Sequence, residues 1–293
     1  MAYSGIFCRR SVTFSRALIM AIINRTPDSF YDKGVNFTDN AAKDASIKAI
    51  EEGADIIDIG GVKAGPGATV TTNEEIFRVV PFIEWLRNKY PSQLISVDTW
   101  RSLVARQACM AGADIINNTW ANADPNLPEV AAEFNKGLVC SHTGGIKPRT
   151  RPFRVYYGIT RRNVVDDVMF EVTNSAKQAI SSGVLANKIL IDPTHDFGKN
   201  TYHGLSLLHY TKNIIKSGWP VLFSMSNKDF VGETLDVSLT KRLEGTLAAT
   251  ALAAAAGVSM FRVHEVGPTK RVLEMVASIQ GIRKPVRTVR GLV

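Results

Sequence analysis

The sequence predicts an α/β fold, a single-domain (β/α)8 barrel, and three observations carry that expectation. Eight short apolar runs rich in Val and Ile recur along the 293 residues. Each is too short for a helix and predominantly apolar, which is how a parallel strand buried on both faces reads. The segments between the runs have helical spacing. Finally, the words Gly53-Ala54-Asp55-Ile56-Ile57 and Gly112-Ala113-Asp114-Ile115-Ile116 repeat 59 residues apart, the distance covered by two β-α units of about thirty residues each. An open doubly wound sheet is the competing architecture. Against it, no G-x-G-x-x-G follows the first run, and Gly198-Lys199-Asn200 lacks the Ser/Thr and the upstream glycine of a P-loop.

Taken in order, the first run (17–23) follows a polar segment carrying Arg9, Arg10 and Arg16. Arg9-Arg10 resembles a twin-arginine signal, but seven apolar residues with no small-residue cleavage site read better as a first strand. A helix follows, with Ala42, Ala45, Ala49 and Ile50 on one face, Thr38 or Asn40 as its cap and Gly53 as its stop. The remaining strands fall at 54–59, 94–97, 113–116, 138–140, 189–191, 221–223 and 259–263. Leu243 to Ala256 is a second clear helix, rich in alanine and ended by Gly257. The expected organisation is a basic extension (1–16), a barrel (17–281) and a basic tail (282–293).

Composition narrows the function classes. At 45% apolar and 21% charged, the chain is neither disordered nor collagen-like, and it has no 18-residue apolar run to cross a membrane. Cys8, Cys109 and Cys140 are few and widely spaced, which argues against a disulfide framework or structural zinc and for a cytoplasmic protein. The net charge of +8 comes from 35 Lys+Arg against 27 Asp+Glu. Seven of the cations lie in the two terminal segments, which hold no acid, so the barrel carries 28 cations against 27 anions. A nucleic-acid-binding face is therefore not expected. Trp85, Trp100, Trp120 and Trp219 read as packing residues, and His195, His203 and His209 as loop and helix residues.

The polar residues at or just beyond the C-terminal ends of the eight runs include Asn24, Asp58, Asp98, Asn117, His142, Asp192, Ser226 and His264. In a barrel they would converge on the C-terminal mouth, where active sites of this fold lie. Asp98, Asn117 and Asp192 suit hydrogen bonds to a flat nitrogen heterocycle, with Lys228 over its face or edge. Asn24, Arg262 and His264 bring donors and positive charge to one side, as an anion or phosphate pocket requires. Alternation puts Arg262 and His264 on the same side of their strand.

At this point the words resemble a known family. Ile23-Asn24-Arg25-Thr26-Pro27-Asp28-Ser29-Phe30 is similar to the N-V-T-P-D-S-F signature of dihydropteroate synthase, and Asp55-Ile56-Ile57-Asp58-Ile59-Gly60-Gly61 to its second signature. The likeness continues through Ser96-Val97-Asp98-Thr99, Ile116-Asn117, Asp192-Pro193, Phe197-Gly198-Lys199, Ser226-Asn227-Lys228 and Arg262-Val263-His264, spanning about 17–281. It implies a (β/α)8 barrel, usually dimeric, that joins a dihydropterin pyrophosphate to p-aminobenzoate. By the same resemblance Asp98, Asn117, Asp192 and Lys228 match pterin-holding positions. Asn24 matches the Mg2+/pyrophosphate position, Arg262 and His264 match pyrophosphate-binding ones, and Phe197 and Pro66 match apolar walls of the aromatic substrate's site.

The departures from the family pattern are concentrated. Where the family reads roughly E-S-T-R-P-G, this chain has Val62-Lys63-Ala64-Gly65-Pro66-Gly67, so the loop arginine has become Gly65. Removing one transition-state charge contact costs about 3–4 kcal/mol. Lys63 and Arg25 are the cations expected nearby. S-R-K-S reads Ser226-Asn227-Lys228-Asp229. Asp229 would set a carboxylate against that of p-aminobenzoate, and Asn227 removes a compensating arginine. Two unit charges ~4 Å apart at an effective dielectric of ~20 repel by about 4 kcal/mol, unless Asp229 is turned away. Thr194 and Asp196 replace two small residues, and Ser141-His142-Thr143 and Asn118 also differ.

The resemblance thus implies a homologue with little or no synthase activity, similar to the divergent second copy of some actinobacteria. It would keep a pocket for pterins, or for aromatic amines and sulfonamide-like ligands. A working synthase using Mg2+ with pyrophosphate, and another pterin-barrel transferase with a non-acidic acceptor, are the alternatives.

Overall fold

Gly53 and Gly112, which open the repeated pentapeptide, each end a helix in the left-handed region, at φ 97° and 116°. The aspartate two residues on repeats a role as well. Asp55 accepts from the Ile19 N–H (2.7 Å) and pairs with Arg16 (2.7 Å). Asp114 accepts from the Ile95 N–H (3.1 Å) and pairs with Arg87 (2.5 Å). The repeat is therefore a device that locks the start of one strand to that of its neighbour.

The computed structural model describes residues 4–7, 10–13, 15–26, 39–121, 123–150, 155–160 and 162–290. In chain order the strands are β1 (Ser4–Phe7), β2 (Arg10–Thr13), β3 (Leu18–Asn24), β4 (Ile56–Gly60), β5 (Leu94–Asp98), β6 (Ile115–Asn118), β7 (Gly137–Ser141), β8 (Ile189–Asp192), β9 (Leu222–Phe223) and β10 (Met260–Val263). The helices are α1 (Asp39–Glu52), α2 (Thr72–Lys89), α3 (Ser102–Ala111), α4 (Leu127–Glu133), α5 (Asn163–Ser181), α6 (Thr201–His209), α7 (Thr211–Ile215), α8 (Asp229–Leu235), α9 (Leu243–Ala256) and α10 (Val266–Ile279). β3 to β10 form a parallel sheet in the order β8-β7-β6-β5-β4-β3-β10-β9. The parallel bridge Ile191↔Val221 brings its two edges together, helped by the Ile191 N–H to Pro220 carbonyl bond of 2.9 Å. This is the (β/α)8 barrel that the eight runs predict. Ahead of it β1 and β2 pair antiparallel, a hairpin within the segment read as an extension.

Parity along the strands builds the site. Leu18, Met20, Ile56, Leu94, Ile115, Val139, Leu190, Leu222 and Met260 fill the lower barrel. Two residues further along each strand the inward position becomes polar in seven of the eight: Asp58, Ser96, Asn117, Ser141, Asp192, Ser224 and Arg262. β3 changes one step later, from Ile22 to Asn24. Side chains of the other parity, Ile19, Ile57, Ile95 and Phe261 among them, pack outward against the helices.

Parity also corrects one strand-end assignment. His142 follows Ser141, and an odd–even step turns it out of the barrel, where its Nε2 meets Asp167 of α5 at 2.7 Å. Its buried Nδ1 has no partner among the described residues. Burial and the nearby Lys199 push this imidazole down to about 4.

Candidate functional site

The polar layer is a connected network. Arg262 on β10 donates from Nε to Asp58 Oδ2 (2.6 Å) and from a terminal nitrogen to Asp98 Oδ2 (2.6 Å). Asn117 Nδ2 donates to the same Asp58 oxygen at 3.2 Å, and the Thr119 hydroxyl donates to Asp98 Oδ1. Asp192 accepts from the Ser224 hydroxyl and from the Thr194 N–H, both at 2.7 Å. Asp58 is fully buried, and the guanidinium offsets a desolvation cost that would otherwise be several kcal/mol. Burial pushes the Asp98 carboxyl up to about 6, with Arg262 opposing and Asp58 adding to the rise. Asp192 also rises through burial, with the Ser224 and Thr194 bonds working against it.

Above this floor lies a cavity of about 90 Å3, well under the ~300–1,000 Å3 common for small-ligand pockets. It is lined by Asn24 and Thr26 from the end of β3, the loop residues Val62, Lys63, Ala64 and Gly65, and Asp98, Thr119, Phe197, Ser224, Lys228, Arg262 and His264. His264 Nδ1 lies 3.0 Å from the Ser226 hydroxyl. Burial, then Arg262 and Lys228, push its imidazole down to about 3, so it works as a neutral ring. Asn117 and Asp192 sit beneath the cavity, in the floor.

The structure departs from the sequence reading at three places on this side. Arg262 is tied to two carboxylates rather than standing as an open cation beside His264. Arg25 points away from the mouth: its guanidinium lies 5.1 Å above the Phe82 ring and pairs with Asp39 at 2.5 Å. One residue past Asn24, alternation turns it outward onto α2. Pro66 is exposed on its loop and does not line the cavity.

The opposite side of the mouth is built by β8, β9 and the loops that follow them. Lys228 Nζ lies 5.2 Å above the Phe197 ring and 3.8 Å from Asp196 Oδ2. Phe197 in turn meets Trp120 edge-on at 4.5 Å. The Asp196 carboxylate also accepts from the Asp229 N–H at 3.3 Å, and burial pushes its carboxyl up. Asp229 itself turns outward, half exposed, to Arg242 at 2.8 Å. The repulsion expected from Asp229 is therefore screened and paired; Asp196, behind the cavity wall, is the carboxylate that meets the cavity-lining Lys228. Asn227 is buried at φ 55°, a conformation asparagine tolerates better than most residues. Its Nδ2 reaches Glu265 at 3.0 and 3.1 Å, away from the cavity. Lys199, also buried, donates to the carbonyls of His142, Thr194 and Phe197 at 3.1, 3.1 and 2.9 Å. It fixes the loop that carries Asp196, and burial pushes its amine down to about 7.

A layer of Asp, Asn and Arg under a cavity at the C-terminal mouth fits a flat heterocycle with several ring nitrogens, and the comparison with known proteins decides the family. The model described as pterin binding enzyme matches residues 20–264. The chain belongs to the pterin-binding enzymes. Among its relatives, the inactive dihydropteroate synthase 2 of Mycobacterium tuberculosis is 67% identical over 285 residues, covering 97% of this chain and 90% of the relative. The dihydropteroate synthase of Haemophilus influenzae is 36% identical over 258 residues, covering 88% and 92%. A solved Yersinia pestis dihydropteroate synthase in a sulfonamide drug complex superposes with a TM-score of 0.88 at 29% identity, covering 95% and 100%. The Xanthomonas albilineans enzyme with 4-aminobenzoic acid gives 0.84 at 34%, covering 96% and 99%. This member of the family is thus a dihydropteroate synthase homologue.

Within that family frame, the sequence pattern places Asp58 and Ser226 at the mouth without giving them a role, and it leaves out Thr119 and Ser224. Strand parity signals Ser224, which lies two residues beyond the inward Leu222. Thr119 and the Ser226–His264 bond have no such signal, because they depend on contacts between distant strands.

Proposed function

We propose that this chain holds a pterin-type ligand at the barrel mouth and has little or no dihydropteroate synthase activity. One observation carries the reading. The Asp196 carboxylate already occupies the Asp229 N–H (3.3 Å) and stands 3.8 Å from Lys228, two donors suited to the carboxylate of an acid acceptor. A carboxylate supplied by the protein competes with one supplied by the substrate. Gly65 in the cavity wall adds to this, since it offers no charge to a leaving pyrophosphate. The name of the mycobacterial relatives supports the same reading. Bound ligands would be pterins, or aromatic amines and sulfonamide-like molecules without a carboxylate. Ring binding must draw the Arg262 guanidinium off Asp98, because it fills the floor on which a heterocycle would rest.

The test is a coupled pyrophosphate-release assay with dihydropterin pyrophosphate and p-aminobenzoate, beside calorimetric titration of a pterin. Pterin binding without turnover supports the reading; turnover at micromolar substrate, or no pterin binding, sinks it. Asp196 also favours a second reading, a pterin-barrel transferase with a neutral or cationic acceptor. Pyrophosphate release with an uncharged arylamine would establish that one.

Mg2+ fits as a cation that enters with a diphosphate ligand. Asn24 offers one neutral oxygen at the cavity wall, and among the described residues no three His, Cys, Asp or Glu converge on a metal site. Magnesium commonly keeps its waters and phosphate oxygens with few protein ligands. When bound it would neutralise the leaving diphosphate, while Asn24 would orient the group.

A homodimer and a cytoplasmic location complete the proposal. Leu252 on α9 and Met275 and Ile279 on α10 are strongly exposed apolar side chains on two helices packed together, as a partner-covered face would be. Cys109 and Cys140 are buried and outside any disulfide, and among the described residues no helix is long and apolar enough to cross a membrane.

A further inference from the structure

Most cations at the mouth are balanced. Arg262 is held by Asp58 and Asp98, Lys228 by Asp196, and Arg242 by Asp229. Arg149 is different. It belongs to the loop between β7 and α5, yet its side chain crosses to the loop between β4 and α2. Nε donates to the Gly65 carbonyl at 3.2 Å and a terminal nitrogen donates to the Ala68 carbonyl at 2.6 Å. Two other arginines grip the same loop: Arg78 bonds the Gly61 carbonyl at 2.8 Å and Arg101 the Val70 carbonyl at 2.7 Å. Those two are paired with Glu74 and Glu75. Among the described residues Arg149 forms no ion pair.

Two further features single it out. Its backbone sits at φ 65°, a left-handed conformation that costs a residue with a side chain and persists only where the surroundings impose it. Its loop is also a concentrated source of charge: residues 142–162 include Lys147, Arg149, Arg151, Arg154, Arg161 and Arg162 and no Asp or Glu. The near-neutral total of the barrel conceals this segment. Gly65, which Arg149 holds, lines the cavity beside Lys63.

We propose that Arg149 is the anion-facing cation of the mouth, holding through two carbonyls the 62–70 loop whose Lys63 and Gly65 line the cavity, and offering from the rim an unbalanced guanidinium to a phosphate or diphosphate group on the ligand. This rests on the reading of the cavity as a pterin-type pocket. A guanidinium suits the task, because it has five donors in a rigid fork and two bonds to carbonyls leave others available.

The test titrates inorganic pyrophosphate, and separately 6-hydroxymethylpterin, which carries no phosphate, into wild type, Arg149→Gln and Arg149→Lys at several ionic strengths. Arg149→Gln should weaken pyrophosphate about tenfold or more, as loss of a charge-assisted bond does, and flatten its salt dependence. Arg149→Lys should keep most of the affinity, and both variants should bind the pterin as wild type does. Equal weakening of pterin and pyrophosphate marks Arg149 as a structural strap and overturns the proposal. So does pyrophosphate affinity indifferent to Arg149→Gln, or pterin binding with no pyrophosphate affinity in wild type; in both cases the pocket reading survives. Pyrophosphate bound through Arg149 with no pterin binding overturns the pocket reading instead and leaves the anion site standing.

Discussion

Asp196→Gly removes the carboxylate that, in the proposed reading, competes with an acid acceptor for Lys228 and the Asp229 N–H. At the 3.8 Å that separates Asp196 from Lys228, two unit charges in an effective dielectric of ~20 interact by about 4 kcal/mol. An incoming carboxylate at a similar distance from Asp196 meets a repulsion of that order. Both side chains retain about one-fifth of their exposure, 20% for Asp196 and 21% for Lys228, so half that value, about 2 kcal/mol, is the working figure. It corresponds to a gain of about 30-fold in p-aminobenzoate affinity. The assay is calorimetric titration of p-aminobenzoate and of p-aminobenzamide, its uncharged analogue, with the pterin present. The acid should gain and the amide should change by less than about threefold. An equal gain for both would mean that Asp196 acts by bulk. No gain for either would refute the electrostatic reasoning.

Other outcomes follow from the same structure. Asp229→Ser should alter acid affinity by about threefold or less, measured by the same titration, because an exposed pair is worth ~0–1 kcal/mol and Arg242 already screens that carboxylate. Asn227→Ala should cost about 2–4 kcal/mol in chemical denaturation, from two lost bonds to Glu265 and an alanine forced to φ 55°. Acid should destabilise the fold. His195 is wholly buried and pushed down to about 3 by burial. Its neutral form is therefore favoured natively, and stability present above the ordinary 6.5 is lost as pH falls toward 3. A drop from 6.5 to 3 corresponds to at most about 5 kcal/mol. Asp98, raised to about 6, offsets part of it by taking up a proton natively, and His195→Phe should flatten the slope in pH-dependent denaturation.

Much of the barrel is legible in the order of residues because parallel strands buried on both faces leave uninterrupted apolar runs. Helix ends at Gly53, Gly112 and Gly257 are legible because left-handed stops favour glycine. The site is legible in part. Asn24, Asp98, Ser226 and His264 are legible as polar residues at the ends of their runs, and they do line one cavity. Errors arise where a one-residue step reverses the side of a strand, as with His142 and Arg25. What stays illegible is how charges are shared between distant segments. Arg262 and Asp58 lie 204 residues apart, Arg149 and Gly65 84 apart, and no local pattern relates either pair. Asp196 reads as added bulk and charge beside the site; only the fold shows that it takes the Asp229 N–H and pairs with Lys228.

The most direct measurement is pyrophosphate release by the purified wild-type chain with dihydropterin pyrophosphate, p-aminobenzoate and Mg2+. Pterin binding with no release above background is the expected result. Sustained release at micromolar p-aminobenzoate would contradict the reading that Asp196 and Gly65 have closed this site to the synthase reaction.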